Sequence, residues 1–105
     1  MNYSSKKTRA RALLVGLVLA APVAVAQEQA ARSLAANCTG CHGPNGNSAG
    51  AIPSIAGLEK AYVIAALQEF KAGTRPATVM HQHAKGYTDQ EFDTLADYFS
   101  RQKRQ

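Results

Sequence analysis

Two cysteines and a histidine stand close together near the middle of the sequence. Cys38 and Cys41 are the two cysteines of the chain, and His42 directly follows the second. Thiols at this spacing can add across the two vinyl groups on one edge of a porphyrin, and a histidine in the next position can bring its imidazole to the iron. The Cys-x-x-Cys-His pattern therefore predicts one covalently attached haem c, with His42 as an iron ligand.

Other uses of a cysteine pair fit the sequence less well. A thioredoxin-like thiol–disulfide site lies at a strand-to-helix junction of a β-α-β unit, and the sequence has no such alternation. Two cysteines are too few for a four-cysteine zinc or iron–sulfur site. A disulfide between Cys38 and Cys41 would close so small a loop that it would constrain the unfolded chain little. Haem attachment is therefore the favoured interpretation.

A haem iron bound by histidine either takes a sixth ligand or keeps an open position. Met80 is the one methionine besides the initiator, and it lies in the loop-like stretch 73–80. Pro76 argues against a helix interior there, so Met80 lacks the apolar neighbours of a core methionine and is predicted to be the sixth ligand. His81 and His83 could compete for the iron, although their ordinary role would be that of solvated loop histidines.

The first 26 residues are typical of a secretory signal. Four basic residues lie beside or before an apolar run over 12–21, and residues 24–26 form a small-x-small cleavage site. An uncleaved membrane anchor is the alternative, but the apolar stretch is short and contains Gly16 and Pro22. We expect a signal peptide over 1–26, followed by a periplasmic domain over 27–105 that is not embedded in the membrane.

Charge is distributed unevenly between these two parts. All seven acidic residues and eight of the 12 basic residues lie within 27–105, which gives the predicted mature chain a net charge of +1. A charge this close to neutral gives no support to nucleic-acid binding. The 79 residues from Gln27 to Gln105 are also near the lower limit at which burial alone stabilises a domain, so a bound cofactor would add stability.

The remaining patterns predict an all-α fold with three main helices and long loops. Alanine-rich Gln27–Asn37 would place the first cysteine at its C-terminal end, and a second helix over Leu58–Lys71 would end before Gly73. Four glycines and two prolines make 43–57 too long for a simple connection, so we expect it to wrap a porphyrin face. A capping box at 88–91 predicts a third helix with apolar residues at helical spacing: Phe92, Leu95, Ala96 and Phe99.

From Gln27 to Lys103 the chain resembles the class I cytochrome c family, whose small all-α domain surrounds one covalently bound haem. In that family the first and last helices cross at a close contact between small and apolar side chains. The resemblance implies such a contact here between these residues: Ala30 and Leu34 on the first helix, Leu95 and Tyr98 on the last.

The same resemblance implies that the carbonyl of Pro53 accepts the Nδ1 proton of His42, which would orient the imidazole and strengthen it as a donor. More narrowly, residues 53–58, 70–76 and 84–89 are similar to the cytochrome subunits of flavocytochrome c sulfide dehydrogenases. Many such subunits carry two haem domains, whereas this chain has one motif. Residues 81–83 also depart from their pattern.

If His42 and Met80 both bind the iron, no coordination position is left for a substrate. The expected function is then one-electron transfer rather than catalysis, through small transient interfaces with redox partner proteins. The narrower resemblance implies that a flavoprotein subunit takes electrons from sulfide and passes them singly to this haem. Two alternatives stay open: a freely diffusing carrier to a terminal oxidase or reductase, and a gas-binding or catalytic haem protein with a labile sixth ligand.

Overall fold

The structure is a computed structural model, and it describes the backbone over residues 9–105 and the side chains from residue 22 onward. Four α-helices follow one another: α1 over Arg9–His42, α2 over Lys60–Ala72, α3 over Met80–Lys85 and α4 over Asp89–Ser100. A short 3₁₀ turn over Pro44–Gly46 follows α1. No strand occurs within residues 9–105, so the predicted all-α class is confirmed.

Packing divides the chain into two units, residues 1–30 and residues 31–105. The predicted signal peptide lies in the first unit, and its first eight residues lie outside the described part. Within the described residues, no helix combines the length and the apolarity that crossing a bilayer requires. Cleavage after Ala26 stays a prediction.

The first helix continues through the Cys-x-x-Cys-His segment, although the sequence predicted its end at Asn37. The Thr39 hydroxyl donates to the carbonyl of Ala36 (3.0 Å), and the Gly43 amide donates to the carbonyl of Thr39 (3.0 Å). These bonds carry the helical pattern to His42, so the predicted boundary was five residues too early. Positions three and four apart share a helix face, so the two cysteines and the histidine lie on one side of the last turn.

Buried side chains of α1 and α4 form the core of residues 31–105. Ala31 and Ala35 are buried, lie four positions apart and share one cluster with residues 95, 98 and 99 of α4. Leu34 is partly buried against this cluster, as the resemblance implied, but Ala30 is exposed. The small residue at the contact was therefore assigned one position too early. Alanines at i and i+4 present one narrow face, and that face is Ala31 and Ala35.

The last helix begins and packs as its sequence predicted. Thr88 caps it, because its hydroxyl accepts the Glu91 amide proton (3.2 Å) and the Glu91 carboxylate accepts the Thr88 amide proton (2.8 Å). Phe92 is 0% exposed and Phe99 is 1% exposed. Complete burial of such a side chain contributes about 1.5–3 kcal/mol, so these two rings are a main source of the fold's stability.

The long loop after α1 is held against the C-terminal end of α4. Gly46 has a φ of 79°, and a Cβ atom there would lie 2.9 Å from side-chain atoms of both Ile55 and Phe99. The Gly57 amide donates to the carbonyl of Phe99 (2.8 Å). Asn47 bonds the backbone of residues 103 and 105, which ties the last residues to the same loop.

Candidate haem site

A cavity of about 620 Å³ lies among α2, α3, the end of α1 and the loops between them. Pockets of roughly 300–1,000 Å³ hold cofactor-sized ligands. All five residues that the sequence assigned to the haem line this cavity: Cys38, Cys41, His42, Pro53 and Met80. Apolar side chains supply much of the remaining wall, among them Ile52, Ile55, Leu58, Val63, Leu67, Phe70, Val79 and Leu95.

His42 is oriented by a backbone group of the long loop. Its Nδ1 atom lies 2.6 Å from the carbonyl oxygen of Pro53. A carbonyl oxygen can only accept, so Nδ1 carries the proton and Nε2 keeps its lone pair. This arrangement leaves Nε2 of the cavity-lining imidazole able to bind a metal.

The two cysteines differ in exposure. Cys41 is exposed at the cavity rim, whereas Cys38 is partly buried against the core cluster. Burial raises the pKa of the Cys38 thiol above its ordinary value. The thiolate is the reactive form of cysteine, so Cys38 would react less readily once the chain has folded.

Met80 is the first residue of α3, not part of a loop as the sequence predicted. The carbonyl of Val79 accepts the amide protons of Gln82 (3.1 Å) and His83 (3.2 Å), which starts the helix immediately after the loop. Pro76 lies outside this short helix, so it does not interrupt it. Helix α3 therefore fixes the direction in which the partly buried Met80 side chain leaves the backbone.

The two histidines that follow Met80 have different surroundings. Nε2 of His81 donates to the carbonyl of Arg75 (2.5 Å), and its ring lies 6.2 Å from the ring of Phe70. His81 is not among the residues that line the cavity, whereas His83 is. From the sequence alone both histidines were predicted to be solvated, and nothing in it distinguished them.

Arg75 and Tyr62 are cavity residues that the sequence analysis did not single out. The guanidinium of Arg75 donates to the hydroxyl of Tyr62 (2.8 Å) and to the carboxylate of Glu69 (3.1 Å). Hydrogen bonds to Glu69 and Tyr62 raise the pKa of Arg75, so it stays cationic. An arginine five residues before the predicted ligand Met80 could have been recognised as a candidate site residue. A guanidinium there could pair with a haem carboxylate.

The residues present fit a covalently bound haem c. The wall is mainly apolar, two sulfur atoms lie on the last turn of α1, and an imidazole with a fixed tautomer lines the same cavity as a thioether. Histidine and methionine are a usual ligand pair for c-type haem. Cys38 and Cys41 would hold the porphyrin edge, and His42 and Met80 would bind the iron.

Comparisons with known proteins agree with this chemistry. The family profile described as Cytochrome c matches residues 27–103. The cytochrome subunit of sulfide dehydrogenase from Chlorobaculum tepidum is 52% identical over 66 residues, covering 63% of this chain and 60% of that protein. The thiosulfate dehydrogenase electron acceptor of Thiomonas intermedia is 37% identical over 100 residues, covering 93% of this chain and 45% of that protein.

Cytochrome c4 of Azotobacter vinelandii is 37% identical over 84 residues, covering 70% of this chain and 40% of that protein. The chain thus spans between 40% and 60% of the length of these three relatives. The family profile covers most of the chain, the all-α fold agrees with it, and the cavity has the matching chemistry. The chain therefore belongs to the class I cytochrome c family, and its domain carries a covalently bound haem c.

Proposed function

We propose that the chain is a periplasmic one-electron carrier in which His42 and Met80 are the axial ligands of the haem iron. The observation that carries this proposal is that both side chains line one apolar cavity together with Cys38 and Cys41. With both axial positions taken, a substrate or gas has no coordination position on the iron. The protein then moves electrons and leaves the chemistry of the substrate to a partner.

Haem c supplies a reversible Fe(III)/Fe(II) couple when it is bound. The thioether of Met80 is a soft donor that favours the reduced state. The bond to Pro53 makes His42 a stronger donor, which favours the oxidised state and lowers the reduction potential. The apolar wall disfavours the additional positive charge of the oxidised state and so raises the potential. We expect a reduction potential above that of a bis-histidine haem.

The rim of the cavity is the surface that we assign to partner proteins. Cys41 is exposed there, and three apolar or aromatic neighbours are also exposed: Ile52 (43%), Tyr62 (50%) and Val79 (55%). Electron transfer complexes are small and transient, so an apolar rim of a few side chains is sufficient for them. Electrons would enter and leave through this rim.

A flavoprotein sulfide dehydrogenase subunit is the electron donor that we favour. The support is the 52% identity with the cytochrome subunit of sulfide dehydrogenase from Chlorobaculum tepidum. The second candidate is a carrier that diffuses freely between a donor and a terminal oxidase or reductase. The chain is also similar to the thiosulfate dehydrogenase electron acceptor of Thiomonas intermedia, whose name is compatible with either role.

Purification from the native cells tests the partner. We expect the mature chain to be found in the periplasmic fraction, with Gln27 as its first residue and haem retained under denaturing conditions. A flavoprotein present in equal amount would support the subunit role, and purification of the haem protein alone would support the free carrier. A colourless chain from a host that attaches haem c would contradict the whole proposal.

Carbon monoxide binding tests the remaining alternative, a gas-binding or catalytic haem. With Met80 bound, the ferrous protein at neutral pH should stay low-spin and should not bind carbon monoxide. Rapid and complete binding would show a labile sixth ligand and would contradict the carrier role.

A further inference from the structure

Helix α3 carries three side chains that could donate to iron, and the structure separates them. Met80 and His83 line the cavity, and they lie three positions apart on the same helix. Residues at i and i+3 share one helix face, so both side chains leave α3 toward the same side. His81 instead donates to the carbonyl of Arg75 and packs near the ring of Phe70.

The other nitrogen-bearing side chains nearby are less suited to the iron. Lys71 donates to the carbonyl of Tyr87 (2.6 Å) and does not line the cavity. Arg75 does line it, but its guanidinium stays protonated and has no lone pair to give. Apart from His42, His83 is therefore the imidazole on the described wall of the cavity.

Features of helix α3 are compatible with an exchange between its two donors. No side chain caps its N-terminus, and the helix is only six residues long, with Gly86 directly after it. His83 is itself exposed at the cavity, so its ring is not held by the core. Ala84 is 1% exposed and anchors the helix in the fold.

We propose that His83 is a reserve axial ligand, which binds the haem iron when the thioether of Met80 is absent or displaced. This inference rests on the proposed function, because it takes Met80 as the resident ligand. The exchange breaks one iron–sulfur bond and forms one iron–nitrogen bond, with no electron transferred. The haem would stay six-coordinate, would bind small molecules more weakly than with an open position, and would have a lower reduction potential because imidazole replaces the thioether.

Four proteins test the proposal: the natural chain, Met80→Ala, Met80→Ala with His83→Asn, and Met80→Ala with His81→Asn. All are purified with haem attached, and their far-ultraviolet circular dichroism shows whether they are folded. The natural protein should show the sulfur-to-iron charge-transfer band of histidine–methionine ligation. Absence of this band would contradict the proposed ligand pair, and with it the reserve role.

The variants then decide the role of His83 by electron paramagnetic resonance of the ferric protein. Met80→Ala should be low-spin with the signature of two imidazole ligands, and so should the variant that also lacks His81. The variant that also lacks His83 should be high-spin. A high-spin Met80→Ala protein, or loss of the low-spin signal on removal of His81, would overturn the proposal while leaving the proposed function intact.

Carbon monoxide affinity provides a second readout on the ferrous proteins. If His83 occupies the iron in about 90% of Met80→Ala molecules, only the remainder can bind the gas, and the apparent affinity is about tenfold lower than without His83. Replacing His83 should therefore increase the affinity of the Met80→Ala protein by roughly that factor. Replacing His81 should leave it unchanged, and equal affinities in all three variants would contradict the proposal.

Discussion

Nδ1 of His42 lies 2.6 Å from the carbonyl oxygen of Pro53, which connects the last residue of α1 to the middle of the long loop. The proline fixes its own φ near −65° and so limits the directions that its carbonyl can take. The bond fixes the tautomer of His42 and directs electron density toward Nε2. The loop therefore controls the ligand as well as lining the cavity.

We predict that Pro53→Ala loosens this carbonyl, weakens His42 as a donor and raises the reduction potential. The unfolded chain also gains freedom, so the free energy of unfolding should fall by about 0.4–1 kcal/mol. Pro44→Ala is the matched control, because Pro44 lies in the same loop but does not line the cavity. It should lose similar stability with no change in potential. Equal shifts in potential for both variants would contradict the role of the Pro53 carbonyl.

The cap of α4 gives a prediction for stability alone. Thr88→Ala removes the hydroxyl that accepts the Glu91 amide proton, and loss of such a cap costs about 1 kcal/mol. Thr94→Ala is the control, since its hydroxyl bonds to the carbonyl of Gln90 within the helix, and alanine is the better helix former there. Urea unfolding should show a loss for the first variant and little change or a gain for the second. Similar losses in both would mean that the cap is not the cause.

Local patterns predicted the parts of this protein that depend on local chemistry. The cysteines, His42 and the Thr88 capping box were identified because spacing alone determines what those residues can do. The family resemblance placed the contact of α1 with α4 at Ala30 and Leu34; Leu34 does pack there, but the buried small residues are Ala31 and Ala35. The rotation of α1 is fixed by packing against α4.

Long-range contacts explain the remaining differences. His81 and His83 are two positions apart and look alike in the sequence. In the structure His81 donates to the carbonyl of Arg75 and does not line the cavity, whereas His83 does line it. Arg75 itself reaches Tyr62, 13 positions earlier, and nothing in the local pattern indicates that contact. Such pairings depend on how the loop before Met80 lies along α2, which requires the folded structure.

Close packing at Gly46 predicts a large effect for one added methyl group. Gly46→Ala would place Cβ 2.9 Å from Ile55 and Phe99 at a φ of 79°. The left-handed conformation costs about 1–2 kcal/mol, and overpacking typically adds about 1–3 kcal/mol. Gly50→Ala, in the same loop, meets no atom within 4 Å and should change the unfolding free energy little. Comparable losses in the two variants would contradict the packing argument.

An ion pair links the start of α2 to α4. Nζ of Lys60 lies 2.9 Å from one carboxylate oxygen of Asp93, and both side chains are partly exposed. Exposed pairs contribute about 0.2–1 kcal/mol, and salt at about 1 M screens them strongly. A double-mutant cycle with Lys60→Gln and Asp93→Asn should give a coupling in this range at low salt. The coupling should become undetectable at high salt, and a coupling that salt does not change would show that the contact is not electrostatic.

The exposed cavity rim predicts where a new charge disturbs electron transfer. Ile52 is 43% exposed and lines the cavity, so Ile52→Asp would place an unpaired charge inside the proposed contact with a partner. Desolvating that charge should slow electron transfer from the natural donor by roughly tenfold. Ala61→Asp adds the same charge on the exposed surface of α2, away from the cavity lining, and so matches the change in net charge. Stopped-flow measurements, compared at equal driving force because a charge in the cavity wall also shifts the reduction potential, should find only the Ile52 variant slowed. If both variants slow equally, net charge controls the encounter and the rim is not the docking surface.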